Sequence, residues 1–195
     1  MEEKDLRQKD TVVVEFNQDN LDRFLNEYYK THRKGKKPIV ESPMSRSLNK
    51  MLVITNRIVQ NTHKQNMKTY TCFVVRDLGL ENLGISSANL NVHFVFPTKI
   101  RHDLDNFLGG CKEQVDGFSE IGLIVDDDYS HIHTISSSAE YIKGKTKMIF
   151  TFSNCKFDLE ELKEVQAKEK IRKEKRDESM AEKKKSKKKS VSKKK

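Results

Sequence analysis

The chain has no tryptophan, only three prolines and three cysteines, and no apolar run that approaches the roughly 20 residues a membrane-spanning helix needs. Each scarcity closes a class of function. Cys72, Cys111 and Cys155 are odd in number and far apart, so they make no disulfide framework. No CxxC pair and no histidine-rich spacing accompanies them, so they make no zinc site either. A reduced, cytoplasmic protein without a membrane partner is expected. The opening MEEKDLRQKD is polar and acidic and does not read as a secretory signal. No GxxxxGK[ST] loop is present to cradle a nucleotide, and no D-x-D-x-D-G run with a closing Glu to hold calcium. No Ser/His/Asp set or cysteine with a nearby histidine stands out as an activated nucleophile.

Apolar residues are also scarce, at 35%, against roughly 45–50% in an average globular chain. The shortfall is local. Residues 168–195 hold fifteen Lys or Arg and five Asp or Glu, a net charge of +10. The other 167 residues carry 23 basic and 24 acidic side chains, so the +9 of the whole chain belongs to its tail. Such a tail attracts polyanions, nucleic acid before anionic membrane, or serves as a solubilising end.

Patterning divides the chain into a strand–helix–basic-loop extension (1–37), a central domain (38–157) and a charged helical segment with a Lys-rich tail (158–195). Residues 11–16 are β-branched and read as a strand. Leu21, Phe24, Leu25 and Tyr28 then fall at i, i+3, i+4 and i+7 of a helix, with Asn17 or Asp19 to cap it. The basic run through Lys34, Lys36 and Lys37 contains Gly35 and precedes Pro38, so it reads as a loop, either touching phosphates or simply solvated. Met51–Ile54 and Ile58–Val59 suggest two short strands or an irregular hairpin, with Thr62 capping a helix from about His63. Residues 68–78 fit a helical face, although their β-branched content favours a strand. Residues 89–97 alternate, with Leu90, Val92, Phe94 and Phe96 on one side. A helix over 106–118 should carry the stripe Phe107, Cys111, Val115 and Phe118. Ile121–Val125 is a short buried strand or turn, and 131–136 and 146–153 are two further strands joined around Gly144. A final helix begins near Asp158 and loses its apolar face by Val165. The expected fold is therefore α/β (α+β): a small mixed sheet with flanking helices and a disordered or helical Lys-rich tail.

The chemistry concentrates in carboxylates. Asp103 and Asp105 are two residues apart, just after a strand, and extended backbone would turn both to one side. On a helix they would diverge by about 200°. Leu104 between them would face the core. The run Asp126-Asp127-Asp128 follows the apolar Ile121–Val125, whose burial would fix it in space. Carboxylates brought this close repel one another unless a cation joins them, and Mg²⁺ suits such oxygen ligands. A metal-activated water attacking phosphorus is the hydrolytic chemistry this inventory supports. The plainer reading is a solvated acidic turn at Asp126–Asp128 and a helix cap at Asp103–Asp105.

The combination Arg101-His-Asp-Leu-Asp-Asn106, then Lys112-x-x-x-Asp116-Gly117, then Gly122-Leu-Ile-Val-Asp-Asp127 resembles the RusA family of Holliday junction resolvases. Pro43-x-x-x-Ser47-Leu48-Asn49 resembles the family's Pro-Ser-Asn loop, and the likeness spans roughly residues 38–153. It implies a RusA-like fold and a homodimeric endodeoxyribonuclease that nicks two strands of a four-way DNA junction, using Mg²⁺ or Mn²⁺, in a bacterial or phage-infected cell. Asp103, Asp105 and Asp127 match the family's metal-binding aspartates, with Asp126 beside them and Asp128 leaving the register open by one. Lys112 matches the active-site lysine if three residues are inserted after Asn106; without the insertion Gly109 takes that place. Arg101, His102, Asn49, Lys34, Lys36 and Lys37 are candidate DNA contacts. Two other readings remain open: a non-catalytic nucleic-acid-binding protein, and a carboxylate-metal nuclease acting on flaps, forks or RNA.

Overall fold

The computed structural model describes residues 7–192, with side chains through Ser179. Its frame is one four-stranded mixed sheet with flanking helices. The strands are β1 (Thr11–Phe16), β2 (Ile85–Phe96), β3 (Ile132–Tyr141) and β4 (Lys147–Phe157), in spatial order β1-β4-β2-β3. β4 runs antiparallel to both β1 and β2, whereas β3 is parallel to β2. The alternation in β1 buries Val12, Val14 and Phe16, and β2 buries Leu90, Val92, Phe94 and Phe96 as its pattern requires. Phe16, Phe118, Phe150 and Phe152 meet largely edge to face over the sheet, the geometry that aromatic quadrupoles favour.

The segment expected as an N-terminal extension is part of this frame. β1 pairs with β4 along its whole length, Val14 opposite Phe150. Helix α1 (Gln18–Thr31) packs Leu21 and Phe24 into the same core. Its start is fixed by a reciprocal box. The Asn17 side chain accepts from Asn20 N–H at 2.9 Å, and the Asn20 side chain accepts from Asn17 N–H at 3.1 Å.

Residues 51–59 are not the expected strands. They form α2 (Leu48–Leu52) and the first turn of α3 (Arg57–Asp77). Asn56, not Thr62, caps α3, its Oδ1 accepting from the N–H groups of Ile58 and Val59. Thr62 lies inside the helix and donates its hydroxyl to the Ile58 carbonyl at 2.8 Å. Apolar runs this short carry no period of their own, so a side-chain cap decides their state. Farther along α3, Met67, Tyr70, Thr71, Val74 and Val75 are buried on one face, and that burial overrides their β-branched preference.

The expected single helix over 106–118 is two helices, α4 (Leu104–Gly109) and α5 (Lys112–Glu120). The break is at Gly110, where an added Cβ would stand 2.0 Å from the Arg46 carbonyl oxygen. The chain before α2 crosses at that point and leaves room only for glycine. The strands on either side of Gly144 do not form a hairpin. The connection crosses the end of β2, Ile142 N–H bonding to the Phe96 carbonyl, and places β4 on the far side of β2 from β3. The final helix, α6 (Leu159–Ser192), is capped by Asp158 and docks through Leu162. Among the described residues, no helix is long and apolar enough to cross a membrane.

Helix α5 lies against α3 at Gly117, where an added Cβ would be 2.8 Å from Thr71 Cβ and 2.9 Å from its Cγ2. Gly117→Ala is therefore expected to cost about 1–3 kcal/mol by overpacking. A urea midpoint unchanged from the parent would refute this close approach.

Candidate active site

The chain returns from β2 to the parallel β3 through α4, α5 and the segment 121–125. That last segment runs beside the start of β2, with Ile85 N–H bonded to the Leu123 carbonyl and Val125 N–H to the Ile85 carbonyl. Leu123, Ile124 and Val125 are buried, as expected, and they fix where Asp126 and Asp127 emerge.

The inward face of β3 is left uncovered by the helices. Ile135, which pairs in register with buried Leu90, is 53% exposed. Between this sheet floor and α4 and α5 lies a cleft of about 500 Å³. Leu90, Val92 and Ile135 form its floor, and Asp105, Lys112 and Asp127 bring charge to it. Thus three residues that the family motif picks out share one cavity.

Lys112 is the hub. Its Nζ donates to Asp127 Oδ2 at 2.7 Å and to Asp116 Oδ1 at 2.9 Å. Lys112 thus meets Asp127 of the downstream acidic pair, and Gly109 lines the same cleft. These two carboxylates hold the ammonium well above the ordinary lysine range, outweighing its partial burial. A lysine held so strongly protonated donates hydrogen bonds and cannot act as a base at neutral pH. Asp116 is a partner that the motif alone does not single out, although its i, i+4 spacing from Lys112 is the signal that finds it.

The other carboxylates are dispersed. Asp103 occupies the cap position of α4, makes no side-chain capping bond and does not line the cleft. Asp103, in extended conformation, and Asp105, in the first helical turn, straddle the junction into α4, and of the two Asp105 lines the cleft. Asp126 accepts from Asp127 N–H at 2.7 Å and opens onto a different groove. That groove, of about 800 Å³, runs between α3, α5 and α6, where Lys170, Arg172, Lys173 and Arg176 line it. Asp127 borders both cavities.

Among the described residues, no three His, Cys, Asp or Glu side chains form a ready metal cage. The chemistry of the donor set still fits a hard divalent ion. Asp105 and Asp127 offer carboxylate oxygens to one cleft, and a cation, the Lys112 ammonium, already pairs with Asp127 there. Mg²⁺ commonly takes one or two carboxylates and completes its shell with water and substrate phosphate. The three cysteines offer no competing chemistry. All are free thiols, and burial raises Cys72 and Cys155 to about 11 and Cys111 to about 12.

The candidate DNA contacts are spread over the surface. The Asn49 backbone N–H bonds to Asn106 Oδ1 at 3.2 Å, which ties α2 to α4. Arg101 is exposed on the loop before α4. His102 is half-buried and stacks on Phe96 with ring centroids 3.9 Å apart, so its ring serves packing. Lys34 sits over the Tyr29 ring, Lys36 is exposed, and Lys37 pairs with Glu41 at 3.3 Å; none of the three lines the Asp105 cleft. No protein-family model matches the chain, and no curated protein does.

Asp128 takes no part in the cleft. The Ser130 hydroxyl and His131 hold its carboxyl down at about 2. His131 Nδ1 lies 2.7 Å from Asp128, and its Nε2 lies 3.4 Å from Glu161 on α6. Burial opposes a charge on this ring, but the two carboxylates outweigh it and raise its pKa above the ordinary 6.5. This ion pairing is fully present below the unfolded histidine pKa and is lost as pH rises through the higher folded value. The melting temperature should fall by about 2–4 °C on going from about pH 6 to about pH 9. His131→Gln should flatten that fall, and an equal slope in both proteins would exclude the pairing.

Proposed function

We propose that the chain is a metal-dependent, structure-selective endodeoxyribonuclease that cuts branched DNA, as its resemblance to the RusA resolvases implies. The supporting observation is the meeting of Asp105, Lys112 and Asp127 in one cleft, from three separate elements. Asp105 and Asp127 are the residues that would hold Mg²⁺ or Mn²⁺, with Asp103 and Asp126 next to them in sequence. When bound, such an ion polarises a phosphoryl oxygen and makes a water nucleophilic at neutral pH. Lys112 can transfer its donated hydrogen bond from Asp127 to a non-bridging phosphate oxygen and stabilise the charge that builds there. Asp116 keeps the ammonium charged and aimed throughout. The apolar floor of Leu90, Val92 and Ile135 offers no competing hydrogen-bond partner to the reacting group. Two coordinated nicks call for two such clefts, hence a homodimer on a four-way junction. The tail beyond Lys168 adds affinity for DNA of any sequence through counterion release.

Synthetic junctions incubated with Mg²⁺ or Mn²⁺ should yield paired nicks, in preference to flaps, forks and RNA. Asp105→Asn should reduce cutting to background with junction binding retained. Lys112→Ala should slow it by about 10²–10³-fold. An Asp105→Asn protein that cuts as well as its parent would remove the site assignment, and retained binding with no cutting by the parent would favour a non-catalytic nucleic-acid-binding protein. Removal of residues 168–195 should make the slope of log affinity against log salt shallower; an unchanged slope would exclude the tail from DNA binding.

A further inference from the structure

From Ser42 to Arg76 the chain contains no Asp or Glu, while Arg46, Lys50, Arg57, Lys64, Lys68 and Arg76 all fall within it. Glu41 and Asp77 close the interval on either side. Arg46, Lys68 and Arg76 pair with Glu41, Glu120 and Glu81 from outside the stretch, so the cations left to meet a polyanion are the other three. Lys50, Arg57 and Lys64 are exposed and have no carboxylate partner among the described residues.

The same stretch presents the most exposed apolar side chains of the helical layer. Around the turn joining α2 to α3, Leu52 is 67% exposed, Val53 79% and Ile58 76%. Single exposed apolar residues need no explanation, but a cluster on one turn marks a contact surface. The turn is built to hold them outward. Gln60 Nε2 donates to the Met51 carbonyl at 3.2 Å and to the Ile54 carbonyl at 2.6 Å, while Asn56 caps α3. Polar side chains thus bond the backbone from within, and aliphatic ones point to solvent. The base of the turn rests on α4, the helix that carries Asp105. Leu48 lies against Gly109, and Asn49 N–H bonds to Asn106.

We propose that the α2–α3 turn is a wedge whose Leu52, Val53 and Ile58 side chains enter the base stack of DNA at a branch point, beside the Asp105 cleft. The proposal rests on the branched-DNA reading above and adds how the branch is recognised. Aliphatic side chains inserted between base steps unstack them and bend the duplex, at a cost of a few kcal/mol per step. That cost is least where bases are already poorly stacked, so such a wedge favours a branch over continuous duplex. Lys50, Arg57 and Lys64 then meet the flanking phosphates, with no carboxylate in the stretch to repel them. A second copy docked symmetrically on this turn would instead bring the same cations face to face.

The test uses the full chain and a four-way junction carrying 2-aminopurine at the branch, with EDTA to prevent cutting. The parent should bind and raise the fluorescence. Val53→Ser/Ile58→Ser should melt like the parent, bind the junction about tenfold more weakly and lose the fluorescence rise, with affinity for linear duplex unchanged. Val53→Phe should enlarge the rise, and Val13→Thr on the outer strand should change nothing. Retention of both signals by Val53→Ser/Ile58→Ser would overturn the wedge. So would sedimentation showing that this variant dissociates a dimer, or parent binding to phosphatidylserine vesicles that the variant loses. A parent that raises the fluorescence but cuts nothing in Mg²⁺ keeps the wedge and removes the nuclease reading.

Discussion

Parallel pairing of β3 with β2 is the constraint on which the rest depends. Two parallel neighbours cannot be joined by a tight turn, so the chain must leave one end of β2 and travel back to the other. It does so in the 35 residues between Phe96 and Ile132, and every cleft-lining charge lies on that return path. Asp105 comes early on it, Lys112 after the Gly110 break, and Asp127 just before β3 begins. Helix α4 packs Phe107 on Phe94 and Phe96 and α5 packs Phe118 on Phe150 and Phe152, while Ile135 on β3 stays exposed and becomes part of the cleft floor.

At the edge of that cleft the charges balance. Lys112 joins Asp127, which borders both cavities, to Asp116 in the neighbouring groove. Charge elsewhere is separated with similar economy. The body is close to neutral, and six of its cations fall on the carboxylate-free stretch while the excess lies along α6. Those two regions border the same acidic turn from different sides, since Lys68 and Arg176 line one groove with Asp126.

Much of the frame was legible from pattern alone. The alternation from Leu90 to Phe96, the β-branched run at 11–16 and the stripe through Phe118 all reflect burial on a fixed period, which side-chain chemistry writes directly into sequence. What stayed hidden depends on contacts distant in the chain. Nothing local to 106–118 reveals that Arg46 will press on Gly110 and split the helix, and nothing local to 51–59 reveals that Asn56 will cap α3. The site was legible to the same degree. Asp105, Lys112 and Asp127 could be named from motif spacing, but the exclusion of Asp103 from their cleft could not, because it turns on where the first helical residue falls.

The docking of α6 sets a length scale. Its start is held through Asp158 and Leu162, and Gln166 Nε2 donates to Asn82 Oδ1 at 3.5 Å two turns on. Its 34 residues amount to about 50 Å of rod at the standard helical rise, comparable to about 15 base pairs of duplex at 3.4 Å each. A cationic segment in this form has a direction as well as a charge. As one continuous helix its backbone holds a single direction, so the basic positions of the sequence follow one another along a line.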